Sequence, residues 1–130
     1  MIANFNIEII SPSKIIFKDT ANHVSIPSYE GMMGILKGHI PIITFLRPGI
    51  VEINNEKKTE TFFLDEGIVE FSNDTLLILS ASVKNIKDFS KKEINEQLSL
   101  AEKNLNEEKR TDKEKYILSY KIEGLKNLNL

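Results

Sequence analysis

The chain has 130 residues, 41% of them hydrophobic, with a formal net charge of −2 and no cysteine. That size fits one domain, or one small domain with an appendage; disulfides and thiolate metal sites are excluded, and a mildly acidic chain with no Lys/Arg cluster among its aromatics is a poor nucleic-acid binder. No window approaches the roughly 18 consecutive apolar residues that span a bilayer, and the N-terminus lacks the basic and apolar regions of a signal peptide.

From the N-terminus to Ser82 the apolar pattern has period two, in short runs. Phe5, Ile7 and Ile9 alternate with Asn6 and Glu8, and Val24 and Ile26 with His23 and Ser25. Val51 and Ile53 flank Glu52, and Val69 and Phe71 flank Glu70; fuller apolar runs occupy 42–46, 62–64 and 75–79. Alternation of this kind predicts strands buried on one face. Turn chemistry separates the runs at Ser11-Pro12, Lys18-Asp19, Arg47-Pro48-Gly49, Asn54-Asn55, Asp65-Glu66-Gly67 and Ser72-Asn73-Asp74. Short strands at roughly ten-residue intervals predict a β-sandwich or barrel, not a parallel βαβ sheet.

One segment inside this region stands out. Residues 28–41 carry Gly31, Gly34 and Gly38, with Met32, Met33, Ile35 and Leu36 between them. The glycines predict a single bent loop with positive φ. A bent loop that is also apolar packs against its own core or against another molecule.

After Phe89 the period becomes helical and charge concentrates: 17 charged residues lie in 1–85 and 19 in 86–130. Ser90 and Glu93 form a capping-box pattern, followed by Ile94, Leu98, Ala101 and Leu105 on one stripe. The polar run 106–113 ends this helix, and Thr111 or Asp112 starts a second. On the second helix, Tyr116, Ile117, Tyr120 and Gly124 share a side, and Leu118, Ile122 and Leu125 form another row. The expected organisation is a β-sandwich domain at 1–85 and a two-helix domain at 86–130. A hairpin of about 40 residues has too little core to stand alone, so it must lie on the sandwich or on a partner. A weakly held unit of that kind can exchange docking surfaces.

Catalytic chemistry is sparse. His23 and His39 are the only histidines, and neither has a second ligand at metal-binding spacing. His23 reads as a surface residue on a strand, and His39 as a loop residue bonded to backbone. No nucleophile elbow, P-loop or dinucleotide fingerprint occurs. Asp65-Glu66 reads as a solvated turn pair. The residues therefore describe a binding or coupling part. The alternatives are a free-standing β-sandwich ligand-binding module, which needs a concave aromatic platform, and a small hydrolase, which needs a nucleophile–base pair.

Several ordered segments carry a resemblance: FNIEIISPSKIIF at 5–17, EGMMGILKGHIPIIT at 30–44, RPGIVEI at 47–53, FLDEGIVEF at 63–71 and LLILS at 76–80. In this order and spacing the chain resembles the epsilon subunits of F-type ATP synthases (delta in mitochondrial nomenclature) across essentially its full length. The resemblance implies an N-terminal sandwich of about ten strands and a C-terminal α-helical hairpin. It implies a non-catalytic rotor-stalk subunit in ATP synthesis by proton transport, coupling c-ring rotation to the catalytic head through γ. The hairpin would reach the α/β hexamer and inhibit ATP hydrolysis.

By position, Glu30, Gly31, Met32, Met33 and Gly34 would form the c-ring contact loop, shaped by Gly38, His39 and Pro41. Lys109, Arg110, Lys113 and Lys115 would meet the catalytic head. No catalytic, nucleotide-binding or metal residue and no cofactor is expected; members that bind ATP carry an arginine where this chain has an acid in 89–94. Met32 replaces a second acid, Lys37 a proline, and Glu66 one of a double glycine. The expected location is the cytoplasmic face of the bacterial inner membrane, reached only through the complex.

Overall fold

In the computed structural model, residues 3–128 are described. Ten strands precede two helices: β1 Phe5–Ile10, β2 Ile15–Ala21, β3 His23–Ser28, β4 Gly31–Ile35, β5 Ile42–Leu46, β6 Gly49–Asn54, β7 Thr59–Leu64, β8 Gly67–Ser72, β9 Thr75–Leu79 and β10 Val83–Asn85, then α1 Lys91–Leu105 and α2 Asp112–Leu128. The strands form two layers, β10-β7-β6-β3-β4 and β5-β8-β9-β1-β2, joined where Ser28 of β3 pairs with Leu46 of β5. Pairings are antiparallel except β1 with β9, which is parallel.

Period two delivers the core as expected. Phe5, Ile7, Ile9, Val24, Ile26, Val51, Ile53, Val69 and Phe71 are all buried and pack in one cluster. The β8–β9 hairpin closes on two residues, Asn73 and Asp74, both at positive φ (50° and 53°). Asparagine and aspartate tolerate this conformation at modest strain, and it matches the strands' right-handed twist.

The 28–41 segment differs from expectation. Gly31–Ile35 is a strand, paired along its length with β3 from Ser28↔Gly31 to Val24↔Ile35. Met33 packs on the core and Ile35 is fully buried, whereas Met32 is 57% exposed. The hidden signal was alternation, masked by the glycines. Of its three glycines, Gly31 and Gly38 have positive φ and Gly34 does not. Gly34 sits close to His23, where an added Cβ would lie a tight 3.1 Å from His23 Nε2.

The helices follow the sequence closely. Ser90 Oγ accepts from the Glu93 N–H at 3.1 Å, and the Glu93 carboxylate accepts from the Ser90 N–H at 3.3 Å, completing the capping box. Thr111 and Glu114 make a second such pair at the start of α2. Ile94 and Ala101 of α1 and Ile122, Gly124 and Leu125 of α2 are buried. The hairpin lies on the outer face of the β6–β7 layer, where Phe63, Phe89, Ile94 and Leu125 form a second core with Ile50, Leu98 and Leu128.

Candidate functional site

The sandwich has two outer faces with opposite fates. On β6 and β7, Ile50 and Phe63 are register partners that point away from the main core. The hairpin covers them. Helix α2 approaches closely at Gly124, where an added Cβ would lie 2.9 Å from Phe63 Cε2 and 3.6 Å from Gly49 Cα. Glycine costs a helix interior about 1 kcal/mol relative to alanine, so its presence here is explained by the contact. Lys121 Nζ pairs with Asp65 Oδ1 at 2.9 Å beside it.

On the other layer the same pattern is left open. Phe45 of β5 faces Ile68 of β8, and Ile68 faces Leu79 of β9. These are 63%, 41% and 41% exposed, and Ile43 on β5 is 71% exposed. Parallel pairing of Ile10 with Leu79 carries the apolar row onto β1. The neighbouring row reads Ile43, Glu70, Leu77 and Glu8, so carboxylates flank the apolar strip. A continuous apolar row with a polar border is the anatomy of a protein interface.

The expected ring-contact residues fall into two groups. Glu30 and Met32 are exposed at or beside the β3–β4 turn, where Gly31 takes φ 123°. Met33 is turned inward, which removes most of it from that surface. Gly38, His39 and Pro41 lie beyond the far end of β4, a five-residue strand roughly 15 Å long. They shape the crossover into β5, not the Glu30 turn: the Gly38 N–H donates to Asp74 Oδ1 at 3.1 Å, His39 N–H to Leu36 O at 3.0 Å. His39 Nδ1 lies 2.7 Å from the Ile40 carbonyl, and its ring meets Phe71 edge-on, consistent with a structural histidine. His23 is half-buried against Gly34, not a free surface residue.

Of the four cations in the hairpin bend, Arg110 is already engaged. It donates to Glu114 at 2.9 Å, Glu107 at 3.1 Å and the Asn104 carbonyl at 3.2 Å, stapling the end of α1 to the start of α2. The Arg110 hydrogen bond, with two from Thr111, holds the Glu114 carboxyl below its ordinary value. Lys109, Lys113 and Lys115 are exposed and enter no ion pair among the described residues.

A group that the sequence reading missed gathers at the Glu30 turn. The Tyr29 ring stacks on Tyr116 of α2 at 6.1 Å, and Tyr116 meets Tyr120 edge-on at 4.8 Å. The Arg47 guanidinium lies over the Tyr120 ring, 4.0 Å from its centroid. Tyr29 O–H donates to Glu66 Oε2 at 3.3 Å; burial first, then the Glu66 charge, raises the Tyr29 pKa. The i, i+4 spacing of Tyr116 and Tyr120 was visible, but their partners lie far away in sequence. Among the described residues no group of acidic or histidine side chains could hold a metal, and no helix is long and apolar enough to cross a membrane.

A stiff sandwich with one face covered by its own tail and one apolar face open is a docking component of a larger assembly. Residues 4–86 match the family model described as the ATP synthase delta/epsilon chain, β-sandwich domain. The chain is 44% identical to the ATP synthase epsilon chain of Pelagibacter ubique over 99% of its own length and 100% of that protein's. It is 35% identical to the chloroplastic ATP synthase epsilon chain of Gracilaria tenuistipitata, over 95% and 87%. A chain of the Euglena gracilis mitochondrial ATP synthase structure (OSCP/F1/c-ring) superposes with a TM-score of 0.75 at 18% identity, covering 97% of this chain and 79% of that one. The chain therefore belongs to the ATP synthase delta/epsilon chain family.

Proposed function

We propose that the chain is the non-catalytic central-stalk subunit of a proton-translocating F-type ATP synthase, with no active site of its own, seated peripherally on the cytoplasmic face of a bacterial inner membrane. The observation that carries this reading is the open row Phe45–Ile68–Leu79 with Ile43 beside it. This row is the γ-docking face. On its border Glu8 is already paired with Lys18 at 3.7 Å, so Glu70 is the carboxylate that calls for a basic group on γ. Torque passes through such a contact only if both bodies are stiff, and two strand layers around one continuous core meet that need.

Glu30, Gly31 and Met32 at the β3–β4 turn face the c-ring, with Met33 and Gly34 backing them in β4. Gly38, His39 and Pro41 hold the opposite end of β4. The docked hairpin is one state of a movable element. Its release exposes Phe63, Phe89, Ile94 and Leu125, at roughly 1.5–3 kcal/mol per fully exposed side chain. A complete population switch needs about 5.5 kcal/mol of differential binding, which comparable apolar surface on the α/β hexamer can supply. There the exposed Lys109, Lys113 and Lys115 make the charged contacts, while Arg110 keeps the bend.

Co-purification tests the reading. The wild-type chain should bring down γ and the c-ring. Phe45→Glu should fold and lose γ; retention of γ by that variant would overturn the assignment of the face.

A further inference from the structure

We propose that Tyr29, Arg47, Tyr116 and Tyr120 form a latch that makes the position of the β3–β4 turn and the docking of the helical hairpin mutually dependent. The inference deepens the stalk reading, on which its consequence for ATP hydrolysis rests.

Two of the four residues belong to the turn's own scaffold. Tyr29 immediately precedes Glu30 and Gly31. Arg47 grips the β3 end of the turn twice, its backbone N–H donating to Pro27 O at 3.0 Å and its Nε–H to Ser28 O at 2.9 Å. Ser28 Oγ in turn donates to Gly31 O at 2.6 Å across the turn. The other two residues lie one turn apart on α2. Arg47 offers its flat face to Tyr120, and Tyr29 offers its ring to Tyr116, while Tyr116 O–H donates to Tyr120 Oη at 3.2 Å.

The guanidinium is thus oriented by the Ser28 carbonyl and used by the helix. Displacing the turn moves Ser28 O and swings the Arg47 plane off Tyr120. Undocking the helix strips Tyr29 of its stacking partner, while its hydrogen bond to Glu66 remains. Each half is thus held in part by the other. Coupling of binding equilibria is reciprocal, so a load on Glu30 and Met32 alters hairpin release by the same factor that release alters the turn.

Other contacts of α2 (Gly124 on Phe63, Lys121 on Asp65, and Leu125 and Leu128 in the second core with Ile50 and α1) involve β6, β7, the β7–β8 turn and α1. The latch is a direct contact of α2 with the β3–β4 turn.

Amide hydrogen exchange of the intact chain reads this coupling. Tyr116→Ala and Tyr120→Ala, both on α2, should each speed exchange about five-fold or more along α2. They should do the same at Arg47 and along β4, while Ile7 and Ile78 stay unchanged. Arg47→Lys keeps the charge but loses the planar face, and should reproduce the Tyr120→Ala pattern. In a Tyr29→Ala and Tyr116→Ala cycle the double variant should exchange no faster than the worse single one. Acceleration confined to α2, or strictly multiplicative effects in the cycle, overturns the latch.

A second readout, ATP hydrolysis by the assembled enzyme carrying Tyr116→Ala, should fall as the released hairpin becomes more populated. Coupled exchange with unchanged hydrolysis keeps the latch and removes the brake. Uncoupled exchange removes the latch whatever the hydrolysis rate.

Discussion

The two outer faces of the sandwich are built from the same material and treated differently. On one, Ile50 and Phe63 point outward and are roofed by Gly124, Leu125 and Phe89; on the other, Ile43, Phe45, Ile68 and Leu79 point outward and, among the described residues, are covered by no second element. An outward apolar row is a liability for a solitary protein, since it promotes association. The chain supplies a cover for one row, and a movable one. The open row needs a permanent partner, and the covered row has a removable lid.

Phe63→Ala should break the comparison most severely. It removes the ring on which Gly124 and Phe89 rest, and should lower stability by about 3–5 kcal/mol, read by denaturant unfolding, with hairpin amides exchanging first. Its counterpart Phe45→Glu should leave the unfolding midpoint nearly unchanged and weaken γ binding about 30-fold or more, as loss of a central interface anchor of about 2 kcal/mol or more does, measured by titration with γ. Equal stability losses from the two would erase the distinction between the faces.

Gly124→Ala sharpens the same contrast from the helix side. Alanine raises intrinsic helicity by about 1 kcal/mol, but its Cβ would press on Phe63, whose ring is hemmed in by Phe89. Overpacking costs about 1–3 kcal/mol, so docking should weaken by roughly 1 kcal/mol while α2 itself becomes more helical. Circular dichroism and exchange at α2 separate the two effects.

The smallest expected effect is acidification. Glu93 is held below its ordinary pKa first by the Lys84 hydrogen bond and then by Ser90, and Glu114 by Arg110 and then Thr111. A carboxylate whose folded pKa is depressed adds stability above its unfolded value, roughly 4.3, and that stability is lost as pH falls through the lower folded value. Helical signal should therefore decline below about pH 4 before the strands are affected. Both groups are exposed, so the change is modest.

How far the sequence revealed this molecule depended on where the partners lay. The sandwich core, the Ser90–Glu93 capping box and the hairpin are local patterns of period 2 or 3.6 and were legible. At the second helix the sequence left Thr111 and Asp112 as alternative starts, and the Thr111–Glu114 box came from the structure. Gly31–Ile35 was misread because three glycines in eight positions outweighed the Met32/Met33/Gly34/Ile35 alternation. Asp65 and Glu66 read as solvated turn acids, yet they hold Lys121 and Tyr29. No local pattern announces contacts at such separation. The open face was legible strand by strand, but only the register Phe45↔Ile68↔Leu79 aligns its residues into one row.

Methyl NMR with a soluble paramagnetic probe, on the free chain and on its complex with γ, tests the contrast between the faces most directly. In the free chain Ile43, Ile68 and Leu79 should be strongly relaxed by the probe, and Ile94 and Leu125 should not. On adding γ, the first three should become as protected as Leu125. Persistent wetting of Ile43, Ile68 and Leu79 in the complex would contradict the account.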